Sequence, residues 1–235
     1  MAVSVILKQS EDGSALLHKK IIFTQSVLTA SGYAPITQKN SLKGMRVAKL
    51  CEAAIEYSDS AAMNLLVKQL GGTAAVTQFA RSIGNRTFRL DRMESQLNSA
   101  IPGDLRDTST PESMVNSLRN LVLGNALALP QRQQLKSWLI HNTTGNVRIR
   151  AGVPKAWVMG DKTGTGDYGT TNDIAVICPP NCKPLILAVY FTQPKKNALP
   201  SDAIIAEATQ FVIQEFSQHD FCLRNRFKLS GHYSF

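Results

Sequence analysis

A carboxylate and an amide stand four residues apart in the stretch RLDRMESQLNSAIPGDLRDTSTP. This stretch shows no clear periodicity, and one helical turn inside it would bring Glu94 and Asn98 to a single spot. A carboxylate and an amide in that arrangement can hold a water molecule and take its proton. Arg92 and Asp107 carry opposite charges near the ends of the stretch, which indicates a compact omega loop. By composition alone, a charged surface loop is an equal alternative.

Two other stretches carry polar residues at the boundaries of predicted elements. EYSDSAAMNLL contains Ser58, Asp59 and Ser60, which are residue types that cap the N-terminus of a following helix. GDKTGTGDYGTTNDIAVI contains Lys162 and Thr163 in a β-rich segment, where a lysine is usually just solvated. Taken singly, each stretch favours the ordinary interpretation, a helix cap and a surface cation.

Along the chain EYSDSAAMNLL comes first, the Glu94 stretch second and GDKTGTGDYGTTNDIAVI third. In that order, the three stretches together resemble the class A serine beta-lactamases. The likeness runs from Met1 to about Phe216 and is greatest to the cefotaxime-hydrolysing (CTX-M type) branch. It implies hydrolysis of the amide bond of the beta-lactam ring in penicillins and cephalosporins through an acyl-serine intermediate, and thereby antibiotic resistance. It implies neither a cofactor nor a metal ion.

The resemblance implies catalytic roles for four residues. Glu94 matches the general base for the water that cleaves the acyl-enzyme, and Asn98 matches the amide that helps to hold that water. Ser58 matches the hydroxyl that relays a proton to the lactam nitrogen as the ring opens. Lys162 matches the cation that supports this serine and attracts the carboxylate of the substrate.

The resemblance also implies a set of substrate-binding residues, namely Ser60, Lys162, Thr163, Gly164 and Thr165. The two threonines match hydrogen-bond donors, and the backbone N–H of Thr165 matches half of the oxyanion hole. Ser60 replaces the asparagine that usually contacts the acylamide side chain of the substrate, so we expect weaker affinity. Arg92 and Asp107 match the pair that closes the omega loop.

The family's nucleophile belongs to a Ser-x-x-Lys motif, and no serine of this sequence has a lysine three residues later. MAVSVILKQSE resembles the helix of that motif from just after the lysine onward. Ser4 cannot replace the nucleophile, because it lies further along that helix and is turned away by the helical pitch. We therefore expect an inactive chain that is truncated at its N-terminus.

Two smaller differences concern the loops around the site. Ser95 stands where many relatives have a proline in a cis peptide bond, so we expect the loop around Glu94 to follow a different path. An arginine usually precedes the last helix in the cefotaxime-hydrolysing branch, whereas Pro200, Ser201 and Asp202 occupy that region here. We expect the site to have one cation fewer.

These observations leave several interpretations open. One is a beta-lactamase remnant that has lost its upstream segment, and another is an active enzyme whose true start lies upstream of Met1. A third is a non-catalytic protein that binds beta-lactams or peptidoglycan fragments. A transpeptidase-like penicillin-binding protein is disfavoured, because Glu94 and Asn98 supply a deacylation step that such proteins lack.

The elements that must position these residues change character along the chain. Apolar residues recur at helical spacing from Lys43 to Arg150, with Thr73 and Thr110 as predicted N-caps and Pro111 opening a helix. Three β-rich runs then follow, AWVMGDKTG, NDIAVI and PLILAVYFTQP, before a last helix, SDAIIAEATQFVIQEF.

This order predicts an α+β fold of the beta-lactamase/transpeptidase-like kind, with a helical lobe and an antiparallel sheet flanked by helices. By resemblance, the two N-terminal strands of that sheet are missing. We expect a mainly helical part over residues 1–150, strands and the last helix over 151–216, and an appended tail over 217–235 that is disordered.

Composition excludes several function classes. The chain has 235 residues and a net charge of +9, but its basic residues are spread along it, so we expect no nucleic-acid partner. No apolar run reaches the length of a membrane span, so we expect no membrane partner either. The expected partner is a small beta-lactam, and the chain is expected to be a monomer if folded.

Cysteine spacing and the N-terminal residues bear on the compartment. Four cysteines without a CxxC pair or a nearby histidine cluster argue against zinc, and we expect ordinary thiols. The first residues do not resemble a signal peptide, because a basic leader and a cleavage site are missing. The family is periplasmic or secreted, whereas the chain as written is expected in the cytoplasm.

Overall fold

The computed structural model describes residues 1–13 and 15–224, with helices first along the chain and the main sheet after them. The helices are α1 (Ala2–Gln9), α2 (Ala15–His18), α3 (Gln25–Ser31), α4 (Val47–Glu56), α5 (Ser60–Gln69), α6 (Thr73–Ser82), α7 (Pro111–Val122), α8 (Leu129–Ile140) and α9 (Asp202–His219). The strands are β1 (Lys20–Ile21), β2 (Met45–Arg46), β3 (Val158–Thr165), β4 (Thr171–Cys178) and β5 (Leu185–Phe191). Short 3₁₀ helices lie at Thr37–Asn40, Gln96–Ser99 and Ile149–Gly152.

Side chains at the helix ends explain where several helices begin. Thr110 caps α7 by accepting the N–H of Ser113 at 3.2 Å, and Pro111 is the first helical residue, as predicted. The predicted cap at Thr73 is wrong, because Thr73 is already helical and Gly72 is the N-cap of α6. Gly72 has a φ of 114°, a backbone conformation that a threonine would adopt only with strain.

The three predicted strands form one antiparallel sheet in the order β3-β4-β5. In the register of this sheet, Lys162 of β3 is paired with Ile174 of β4, and Ile174 is paired with Ala188 of β5. The much smaller β1 and β2 pair with each other, also antiparallel. β5 is an edge strand of the main sheet among the described residues.

Helices cover both faces of this sheet, so the predicted α+β class is confirmed. Consecutive residues of β5 point to opposite faces of the sheet: Ile186 packs against the core of the helical part, and Leu187 packs against a second core, the core under α9, which includes Ile205 and Ile213 of that helix. α8 lies close against β3 at Gly160, where a β-carbon would come within 2.8 Å of the β-carbon of Leu139. A glycine is needed for that approach.

The C-terminal end is more ordered than expected. α9 continues to His219, beyond the predicted end at residue 216, and residues 221–224 form a further helical turn. Leu223 in that turn is 2% exposed and belongs to the core under α9. The expectation of disorder is therefore wrong for residues 217–224, and for residues 225–235 it lies outside the described part of the chain.

The cysteines also depart from expectation. Cys182 and Cys222 form a disulfide, so two of the four are not ordinary thiols, while Cys51 and Cys178 are free. In the described ranges, no helix has both the length and the apolar character that crossing a membrane requires.

Candidate active site

Ser58 and Lys162, which are 104 residues apart in sequence, meet at the centre of the site. Ser58 occupies the bend between α4 and α5 with a φ of 53°, and Lys162 projects from β3. The Nζ atom of Lys162 donates a hydrogen bond to Oγ of Ser58 at 2.5 Å and a second to the carbonyl of Thr163 at 2.8 Å. The amine can therefore orient this hydroxyl and favour its loss of a proton.

Asp59 fixes the conformation of the bend that contains Ser58. Its carboxylate is fully buried and caps α5 by accepting the N–H of Ala62 at 2.8 Å. It also accepts the N–H groups of Ile36 and Thr37, at 2.9 and 2.8 Å. The cap predicted in this stretch is therefore Asp59, and the same side chain ties the loop before Thr37 to the site.

The environment of Lys162 alters its acidity. Burial lowers its pKa to about 8, although Asp173, Asp161 and Glu94 partly counteract this by stabilising the charged amine. A lysine with a pKa near 8 is mostly charged at neutral pH but can exchange a proton readily. It can thus both attract an anion and assist proton transfer through Ser58.

Glu94 and Asn98 come together as their spacing predicts. The side-chain amide of Asn98 donates to Oε2 of Glu94 at 2.7 Å, across the short 3₁₀ helix Gln96–Ser99. Burial raises the pKa of Glu94, while the Asn98 hydrogen bond and the charge of Lys162 act in the opposite direction. A buried carboxylate of raised pKa beside an amide is suited to accept a proton from a held water molecule.

Asn64 of α5, which the sequence did not single out, positions Glu94. Its side chain accepts the N–H of Glu94 at 2.9 Å and donates to the Glu94 carbonyl at 2.8 Å. The Glu94–Ser95 peptide bond is cis. The expected difference in the path of this loop from that in the relatives stays a prediction.

The omega loop, residues 92–107, is closed by its terminal charges. Nε of Arg92 donates to Asp107 at 2.6 Å, and the side chain of Asp107 is 3% exposed. At the other side of the loop, the N–H of Asp167 donates to the carbonyl of Asn98 at 2.8 Å. A β-carbon on Gly166 would lie 2.6 Å from that carbonyl, so a glycine is required where the loop meets the turn after β3.

Arg148 is a second site residue that the sequence did not reveal. Its guanidinium donates to Oγ1 of Thr165 at 2.7 Å and to the carbonyl of Gly164 at 2.8 Å. Nε of Arg148 donates to Asp202 at 2.6 Å, and its charge contributes to lowering the pKa of Lys162. The expectation of one cation fewer is therefore corrected: Arg148, from an irregular segment, brings a positive charge to this end of β3.

The remaining predicted residues line the same end of the sheet. Oγ1 of Thr163 lies 2.6 Å from Oγ1 of Thr144, within hydrogen-bonding distance. Ser60 is half-buried at the start of α5, and its N–H donates to the carbonyl of Tyr33 at 2.9 Å. Gly164 and Thr165 lie on β3 beside Arg148. The structure thus brings all the predicted site residues to one region, while their individual roles stay predictions.

A nucleophile with its own lysine is not among these residues, since no serine of the sequence has a lysine at the third position after it. Ser4, the serine of α1, is 2% exposed. Within residues 1–13 and 15–224, no three histidine, cysteine or acidic side chains group in a way that could hold a metal ion.

Comparison with known proteins identifies relatives that match most of the chain. The model of the beta-lactamase enzyme family matches residues 2–216. A beta-lactamase of Proteus vulgaris is 56% identical over 217 residues, which are 92% of this chain and 79% of that protein. Beta-lactamase CTX-M-97 of Escherichia coli is 54% identical over 216 residues, 92% of this chain and 74% of the relative.

A solved structure shows the same architecture. The crystal structure of a beta-lactamase from Desulfarculus baarsii DSM 2075 superposes with a TM-score of 0.89 at 48% sequence identity. The superposition covers 92% of this chain and 80% of that one. Fold and sequence therefore agree over nearly all of the chain and most of its relatives.

Proposed function

The chain belongs to the beta-lactamase enzyme family, and from this premise we propose that its site serves the hydrolysis of the beta-lactam amide bond through an acyl-serine intermediate, which confers antibiotic resistance. The observation that carries the proposal is the pair of contacts described above, Lys162 with Ser58 and Asn98 with Glu94. The first pair suits ring opening, and the second suits removal of the acyl group.

In the first half of the reaction, a serine of the family's Ser-x-x-Lys motif attacks the carbonyl carbon, and the bond to the ring nitrogen breaks. The attacking serine gives its proton to the lysine of that motif. Ser58 gives its own proton to the ring nitrogen and takes one from that lysine, while Lys162 stabilises the Ser58 oxygen during the exchange. The backbone N–H of Thr165 supports the negative charge that develops on the carbonyl oxygen. The chain of residues 1–235 does not carry this motif, so the step is proposed for a chain that has it.

In the second half, Glu94 takes a proton from a water molecule held with Asn98, and the resulting hydroxide attacks the acyl carbon. The ester bond to the serine then breaks, the serine oxygen takes the proton held by Glu94, and the opened antibiotic is released. The raised pKa of Glu94 supports this role, because a stronger base takes a proton from water more easily.

Positively charged side chains at one end of β3 recognise the substrate. Beta-lactams carry a carboxylate beside the ring, and Lys162, Arg148 and Thr165 offer two positive charges and a hydroxyl for it. The similarity to beta-lactamase CTX-M-97 favours the range of antibiotics that the cefotaxime-hydrolysing branch acts on. We propose a monomeric protein with a small-molecule substrate and without nucleic-acid or membrane partners, acting in the oxidising compartment typical of the family.

A second candidate function is non-catalytic binding of beta-lactams or peptidoglycan fragments. It is favoured by one specific observation: the 235 residues contain the anion-binding side chains but no Ser-x-x-Lys motif. The two candidates differ in whether a chain extended by the family's upstream segment turns over substrate.

The test of the proposed function uses such an extended chain and its Glu94→Ala variant. The extended chain is expected to hydrolyse cefotaxime, and the variant is expected to accumulate acyl-enzyme, because deacylation loses its base and slows by roughly 10³-fold. Intact-mass spectrometry during turnover measures the trapped adduct. Glu112→Ala, an exposed change at the start of α7, is the matched control and should turn over normally. Normal turnover by the Glu94 variant would show that another group is the base.

A second experiment on the extended chain concerns Arg148. Arg148→Ala removes the charge beside Lys162 and leaves Thr165 without its hydrogen-bond donor, so KM for carboxylate-bearing substrates should rise about 10-fold to 100-fold. Arg119→Ala, an exposed arginine on α7, controls for the loss of a positive charge elsewhere. An unchanged KM in the Arg148 variant would remove it from substrate recognition.

A further inference from the structure

The chain after the main body of α9 turns back onto the rest of the molecule. Asp220 ends α9, and its side chain accepts the N–H of Leu223 at 3.0 Å, which caps the helical turn of residues 221–224. Arg224 donates to the carbonyl of Gln218 at 2.8 Å. The turn is thus held by local hydrogen bonds in an orientation that directs Leu223 into the core under α9.

A disulfide bond joins this turn to the loop that connects β4 and β5. Cys222 pairs with Cys182, which lies in the connection between β4 and β5, and their Cα atoms are 5.9 Å apart. That separation is typical of disulfides and requires no movement of the backbone. The bond closes a ring with a sequence separation of 40 that contains all of β5 and all of α9.

The other two cysteines are poorly placed to compete for this bond. Cys51 is fully buried in the helical core, and burial raises the pKa of its thiol well above the usual value. Cys178 at the end of β4 is half-buried, and burial raises the pKa of its thiol as well. Exchange requires a thiolate, and a raised pKa lowers the fraction of each thiol that is in that form, which disfavours rearrangement of the Cys182–Cys222 pair.

We propose that Cys182 and Cys222 form a redox-controlled clasp, which holds residues 220–224 against the core under α9 and gives the protein its full stability only where thiols are oxidised. Two features support this. The buried Leu223 directly follows one cysteine of the pair, and the ring encloses the strand and the helix that form the outer part of that core. Reduction frees the turn and allows Leu223 to leave its contacts.

Formation of the clasp is a two-electron oxidation. Each of the two thiols loses one proton and one electron, and a bond forms between the two Sγ atoms. The two electrons and two protons reduce the disulfide of an oxidant, here a small dithiol in its oxidised form, to two thiols. No metal or cofactor takes part.

The first experiment measures this equilibrium on the chain extended by the family's upstream segment. This extended chain is the parent chain of both experiments, because residues 1–235 alone are expected to be only marginally folded. The protein is equilibrated with mixtures of oxidised and reduced dithiothreitol, in native buffer and in 6 M guanidinium, then quenched with acid, alkylated and mapped by mass spectrometry. A peptide pair containing Cys182 and Cys222 is expected. The ratio of oxidised to reduced protein at one dithiothreitol mixture should be on the order of 10² to 10³ higher in native buffer, as the loop-closure cost of this ring predicts. A ratio that differs by less than about threefold, or a different cysteine pair, overturns the proposal.

The second experiment measures stability by thermal melting. Reduced dithiothreitol should lower the Tm of the parent chain by about 10 °C. The double variant Cys182→Ser/Cys222→Ser should already have this lower Tm without the reductant. Its Tm should not change when reduced dithiothreitol is added. Cys178→Ser, which removes a free thiol four residues from Cys182, is the matched control and should respond as the parent does. A parent whose Tm is insensitive to reduction contradicts the clasp, and the equilibrium measurement decides the matter if the double variant does not fold.

Discussion

A polypeptide of residues 1–235, incubated with cefotaxime or a penicillin, is expected to show no increase in mass. The reason is the missing Ser-x-x-Lys motif: the loss of a catalytic serine in a comparable hydrolase lowers turnover by on the order of 10⁶. The serines near the site do not compensate. Ser58 is held by Lys162 for proton transfer, and Ser4 is buried in α1.

Intact-mass spectrometry after prolonged incubation makes this measurement, and the chain extended by the family's upstream segment is the positive control. The extended chain should gain one acyl group per molecule. A stoichiometric adduct on residues 1–235 would contradict the expectation, and peptide mapping would then identify which residue of the chain acts as the nucleophile. Ser58 is the first position to inspect, because its hydroxyl already lies 2.5 Å from an amine.

The second large effect concerns folding of the same polypeptide. β5 lies at the edge of the main sheet, and its residues from Leu185 to Phe191 are all only half-buried. An apolar edge strand with unpaired backbone groups invites pairing with another copy. The family, by resemblance, has two further strands before the nucleophile helix, each contributing roughly 5 to 9 kcal/mol of burial. Since whole domains are stable by only about 5 to 15 kcal/mol, the 1–235 chain should be marginally folded and self-associate.

Light scattering and near-UV circular dichroism distinguish the outcomes. The 1–235 chain should form soluble oligomers or aggregates with a weak near-UV signal, whereas the extended chain should be a monomer with a cooperative melt. A monodisperse 1–235 monomer that melts cooperatively above about 45 °C, where mesophile domains begin, would show that the described core suffices. The order of residues 217–224 and the disulfide of Cys222 are the features that would explain such an outcome.

Local signals in the sequence were sufficient for several of the helices after residue 43, for the three strands of the main sheet and for the types of chemistry, but they did not predict α2, α3, β1 or β2. Thr110 and Pro111 predicted the start of α7, because caps and first-turn prolines act through their immediate neighbours. Apolar runs bounded by glycine and proline predicted β3, β4 and β5 to within two or three residues of their ends. Glu94 and Asn98 were found by their spacing of four, since a single turn joins them. The cap at Thr73 failed because the choice between adjacent residues depends on backbone angles that composition does not determine.

Long-range contacts were decided only by the tertiary structure. Arg148 reaches Thr165 and Asp202 from a segment without regular periodicity, and Asn64 holds Glu94 from a helix 30 residues earlier. The pairing of Cys182 with Cys222 likewise spans 40 residues and a whole strand and helix. Residue type and spacing along the chain determined which groups are able to do chemistry. Which of them meet depends on how helices and strands pack, because packing brings together side chains whose separation in sequence carries no signal of their contact.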